Sequence, residues 1–128
     1  MWISRSLIGL VLFFNLESAL SLLWHPQDYS GSFGVQGSAG VTIVRSIGLL
    51  FVMWNVPYLV ALLHPIKHRV SLIEAVAMQA IGLSGETILL LTLAPGLPEI
   101  GQTLSRFIVF DSFGLICLAT AFWLTHRR

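Results

Sequence analysis

Apolar residues run almost unbroken through four stretches of this chain, at about 3–24, 41–63, 70–94 and 103–125, and helix-breaking residues gather between them. A bilayer core of roughly 30 Å needs about 20 apolar residues in a helix, so each stretch is long enough to cross one. The ends have a cause. His25-Pro26, His64-Pro65 and Pro95-Gly96 close the first three stretches. Proline lacks a backbone donor and disfavours helical geometry in the residue before it. The pattern predicts an all-α integral membrane protein, one domain over residues 1–128, built as an up-down-up-down bundle of four transmembrane helices.

Composition agrees with that class. Apolar residues are 55% of the chain and charged residues 10%, and the mean hydropathy is +0.84, outside the usual range of a soluble domain. A net charge of +1 gives no reason to expect a nucleic-acid partner. The single Cys117 excludes an internal disulfide and a dithiol motif and reads as a core thiol. Arg5, Lys67, Arg69, Arg127 and Arg128 flank the spans on one side, while loops 27–40 and 95–102 contain no Lys or Arg. By the positive-inside rule both termini and Lys67 are cytoplasmic, as in a multi-pass protein of a bacterial inner membrane. The first span has the basic start of a signal peptide, but Asn15 and Glu17 interrupt its apolar run, and it is expected to be retained.

Charged residues inside the spans change the picture from class to site. Glu17, Arg45, Glu86, Arg106 and Asp111 all lie within the apolar stretches. An ionisable group in hydrocarbon costs at least about 2.5 kcal/mol unless paired or hydrated, so each marks a functional candidate. Counted from the external ends, Glu17, Glu86 and Asp111 fall about 10 to 12 Å below the outer boundary, and Arg45 and Arg106 about 5 to 6 Å below it. Helical spacing joins Ala75, Gln79, Gly82 and Glu86 into one stripe, and Asp111, Gly114, Leu118 and Ala121 into another. It likewise suggests Arg45, Gly48, Val52 and Asn55 on the second span, and Leu10, Phe13, Glu17 and Ser21 on the first. Small and polar residues mark helix-facing stripes, so a ligand-binding or proton-coupling set of Glu17, Arg45, Glu86, Arg106, Asp111, Asn55 and Gln79 is expected.

Two readings of that set stand side by side. In one, Arg45 neutralises Glu17 or Glu86 and Arg106 reaches Asp111 or a lipid phosphate, a polar knot that only fixes helix register. In the other, three carboxylates against two guanidinium groups leave one acid to meet a cation or proton from outside. The loop after the first span, HPQDYSGSFGVQGSAG, reads either as a connector or as a lid carrying Tyr29 and Phe33. Pro57 is expected to bend the second span beside Trp54 and Asn55. His25, His64, His68 and His126 all sit at span ends, which argues against a membrane-embedded haem site. No HExxH, CxxC or phosphate-binding glycine motif is present. No catalytic residue, metal or cofactor is therefore assigned.

The Arg-led first helix with Gly9, the Gly/Ser-rich loop, and an arginine-led second helix reading VRSIGLLF (Val44 to Phe51) resemble the DoxX-like group of small bacterial four-helix membrane proteins. Where that group carries a glycine-lysine signature, this chain reads ESALSLL (Glu17 to Leu23). The resemblance implies an association with quinone-linked oxidation complexes. The chain is also comparable in size to a small multidrug transporter, with a first-helix glutamate at Glu17. The leading expectation is a non-catalytic ligand-binding or accessory subunit that holds a small amphipathic ligand, a quinone or a lipid, as a homo-oligomer or within a larger membrane complex. A proton-coupled transporter of a small amphipathic or cationic substrate is the alternative, and a lipid- or quinone-directed enzyme the third. Transport requires a polar path past Asn55 and Gln79, whereas a binding role requires a cavity that ends there.

Overall fold

A computed structural model describes residues 1–127, and among them the chain is all-helical, without strands. Four spans, Trp2–Trp24, Gly37–Leu63, Arg69–Leu91 and Pro98–His126, are long and apolar enough to cross a membrane, as in a multi-pass membrane protein. Arg128, one of the basic residues used to orient the chain, lies outside the described residues.

α1 (Trp2–Trp24) ends where His25 leaves helical geometry ahead of Pro26, and α2 (Pro26–Tyr29) starts on that proline, which needs no donor in a first turn. A 3-10 turn at Gly31–Phe33 follows, so much of this loop has regular structure. Gly34 reverses the chain at φ +67° and has only 3.0 Å between an added Cβ and Ile100, so this loop is pressed onto the last helix.

The second span is two helices. α3 (Gly37–Trp54) and α4 (Val56–Leu63) meet at Asn55, two residues before Pro57. Pro57 cannot donate to the Met53 carbonyl, and the Asn55 N–H shifts to the Val52 and Met53 carbonyls. The Asn55 side-chain amide then donates to the Phe51 carbonyl at 2.6 Å, replacing the lost backbone bond.

α5 (Arg69–Leu91) stops earlier than hydropathy suggests, and α6 (Pro98–His126) begins earlier, because Pro98 opens a helix instead of blocking one. α1 packs on α3 and on α6, α5 packs on α6, and α4 packs on both α5 and α1. α3 makes no comparable contact with α5 or α6.

The core therefore lies in one half of the bundle. Ile8, Val11, Tyr58, Leu72, Leu118 and Ala121 are buried together there, with Ala61 and Ala75 fully buried between the helices. Small residues let helices approach in a solvent that offers no hydrophobic driving force. Arg5 Nε donates to the Leu62 carbonyl at 3.0 Å, and Arg69 meets His126 and lies 5.2 Å over the Phe122 ring. Arg69 is thus engaged with α6.

Candidate functional site

Where α3 leans on α1 alone, the helices enclose a cavity of about 670 Å³. Asn55, Tyr58, Gln79 and Asp111 line its inner end, Phe51, Phe107 and Phe110 its walls, and Tyr29, Ser32 and Phe33 its roof. The roof is fixed. Thr103 Oγ donates to the Ser32 carbonyl at 2.6 Å, and the Phe33 and Phe107 rings lie 6.1 Å apart. Tyr29 and Phe33 of this loop thus line the cavity.

The inner end is a closed chain of hydrogen bonds. Tyr58 OH donates to Gln79 Oε1 at 2.7 Å, and Gln79 Nε2 donates to Asp111 Oδ1 at 2.9 Å. Beside it, Asn15 Nδ2 donates to Asn55 Oδ1 at 3.0 Å, tying α1 to the helix break. Two glycines make room for these side chains. A Cβ at Gly114 would stand 2.5 Å from Gln79 Nε2, and one at Gly82 would stand 2.8 Å from Asp111 Oδ2. Each helix thus accommodates the other's polar side chain in a notch, which fixes both groups at one level.

Glu86 completes the site. It lines the same cavity as Asp111, and its Oε2 is buried without a hydrogen-bond partner. A buried carboxyl oxygen without a donor, in a cavity shared with a second carboxyl, is a place for a cation or a proton. Beyond the polar layer the interior is apolar: Val11, Leu72 and Leu118 are at most 1% exposed.

Six of the seven residues singled out from the sequence line this cavity: Glu17, Asn55, Gln79, Glu86, Arg106 and Asp111. Glu17 and Arg106 do so while exposed, Glu17 accepting a hydrogen bond from Ser21 at 3.4 Å. Arg45 is not brought in. It is exposed on α3, where Gly48 and Asn55 of the expected stripe are buried but Val44, not Arg45, continues it. At Gly48 a Cβ would lie 2.9 Å from the Ala19 carbonyl, so this stripe is the α1 contact. On α1 the buried positions are Ile8, Val11, Ala19 and Leu22, while Phe13 is 63% exposed. The α5 and α6 stripes lie where spacing puts them.

Two polar residues at the inner end carry no site assignment from the sequence, Asn15 and Tyr58. Tyr58 falls three positions after Asn55, on the same face, and that spacing is its signal once the helix is allowed to restart at Val56. Asn15 is a lone amide in an apolar run. Among the described residues no three His, Cys, Asp or Glu side chains gather as a metal site. The chain matches no family model, no characterised protein and no solved structure.

Proposed function

We propose that this protein is a membrane-embedded binding or accessory subunit that holds one small amphipathic molecule in the α3–α5 cavity. The single observation behind this reading is a roofed, aromatic-walled cavity of about 670 Å³ whose polar end is set on a dry core. Ligand sites of this size are mostly apolar with a few convergent polar groups. The orientation belongs to the same reading: an up-down-up-down bundle with both termini and Lys67 cytoplasmic in a bacterial inner membrane, and the cavity in the outer half. It is supported by the basic residues around Arg5 and Arg69, by the Arg5–Leu62 contact and by the Arg69–His126 contact. A homo-oligomer or larger complex is part of it too, since the outward face of α5 at Ile73 and Ile88 is exposed apolar surface. The DoxX-like resemblance fits a subunit of this kind, and a quinone is one ligand of suitable shape.

Proton-coupled transport is the second reading, favoured by the Glu86–Asp111 pair and by the chain through Gln79 to Tyr58. That chain ends on the Ala75 carbonyl, 3.3 Å from Tyr58 OH, inside the apolar core. A path ending there supports binding over passage. Native mass spectrometry of protein released from membranes tests the choice. The binding reading expects a one-to-one small-molecule adduct on the wild type, lost in Gly82→Leu, where the new side chain fills the notch holding Asp111. An adduct-free wild type that acidifies proteoliposomes would favour transport.

A further inference from the structure

We infer that the cavity takes an amphipathic organic cation directly from the bilayer, sideways between α3 and α5, with the ammonium head on Glu86 and Asp111 and the chain in the gap. The inference rests on the binding reading and adds the class of ligand and its route. Three carboxylates, Glu17, Glu86 and Asp111, line the cavity, and Arg106 is the single cationic side chain among its lining residues. Arg45, the other arginine at this level of the sequence, faces away. Asp111 Oδ1 already accepts from Gln79, whereas Glu86 Oε2 has no donor. An ammonium placed beside the two carboxyls supplies the missing charge, and Phe107, Phe110 and Tyr58 line the same cavity with aromatic surface, which suits a cation.

The route follows from which sides are closed. The inner end rests on the core, and the roof is held by the Thr103–Ser32 bond and the Phe33–Phe107 contact. On the remaining side, α3 and α5 stand apart, and their lining residues are also surface residues: Trp54 is 50% exposed, Ile81 71% and Leu89 57%. An apolar margin in hydrocarbon admits an alkyl chain and disfavours a free ion. Gly85 stands in this gap, and an added Cβ there meets nothing within 4 Å.

The test uses Trp54 as the reporter. With Trp2, Trp24 and Trp123 replaced by phenylalanine, the full chain in zwitterionic-lipid nanodiscs is titrated with an ω-bromoalkyl trimethylammonium, and separately with the matching ω-bromoalkanol. The expected result is saturable quenching by the cation, reversed by its unbrominated analogue, and only linear quenching by the alcohol. Glu86→Gln combined with Asp111→Asn, and separately Gly85→Phe, should each weaken the cation by at least about tenfold, while Leu49→Ala, on the surface of α3 outside the cavity, leaves it unchanged. Ile81→Trp, read by competition against Trp54 quenching with a bromine-free cation, replaces Gly85→Phe if that variant does not fold. Saturable quenching by the alcohol but not the cation would overturn the ligand class and leave the binding reading standing. Full cation affinity with an unchanged rate of quenching onset in Gly85→Phe would overturn the lateral route and the placing of the chain in the gap. Linear quenching by both probes would remove the inference and the binding reading together.

Discussion

The same helices behave differently in the two halves of this bundle. In one half α1, α4, α5 and α6 close on each other through Ala61, Ala75 and Ala121, and Ile8, Leu72 and Leu118 are inaccessible. In the other, α3 contacts α1 and stands off from α5, and the space is lined by carboxyl, amide and aromatic groups. The switch between them is one residue pair. Pro57 removes the backbone donor to Met53, the Asn55 side chain takes up the Phe51 carbonyl that its own N–H leaves, and the second span changes partners at that point. Lipid gives helices no hydrophobic reason to approach, so contact depends on how well small and large residues interlock. Where they interlock the bundle is sealed, and where they do not it holds a site.

The contrast can be broken at both ends. The largest effect is expected for Leu118→Ala, which leaves a void in the sealed half and should cost about 2 to 4 kcal/mol in reversible unfolding in detergent. Leu89→Ala, at the margin of the cavity, should stay within about 0.5 kcal/mol by the same assay. Next come the glycines. Gly114→Ala drives a methyl into the Gln79 amide and should cost about 1 to 3 kcal/mol. Gly85→Ala meets no neighbour and should stabilise by up to about 1 kcal/mol. Equal effects at the two glycines would show that α5 and α6 do not hold Gln79 and Asp111 in reciprocal notches. A double-mutant cycle between Gln79→Leu and Asp111→Asn should give a coupling of about 0.5 to 3 kcal/mol, and one between Arg45→Ala and Asp111→Asn should be additive within about 0.5 kcal/mol. Coupling at Arg45 would place that guanidinium in the site after all.

Much of this arrangement is legible without coordinates, and the rest fails for identifiable reasons. Four apolar stretches with proline ends give the spans, because length and hydropathy act on whole segments. The stripes on α5 and α6 are readable because Gln79, Gly82, Asp111 and Gly114 combine small and polar character on one face. Arg45 misleads since a charge in a span is taken to face inward. α3 has one partner helix, and only a stripe near Val44 and Gly48 needs to be covered. On α1, Leu10 and Phe13 share Glu17's face, but Glu17 borders an open cavity, so its neighbours remain exposed. Tyr58 is hidden by the helix break, which resets the count of faces.

Thiol accessibility tests the central claim, a sealed half beside an open one, most directly. Cys117 lies in the sealed half at 7% exposure, and Ser21 lines the cavity. In folded protein in nanodiscs, a small methanethiosulfonate reagent should leave wild-type Cys117 unmodified and rapidly modify Ser21→Cys in a Cys117→Ala background. Modification of Cys117 as fast as the residue at position 21 would contradict the account.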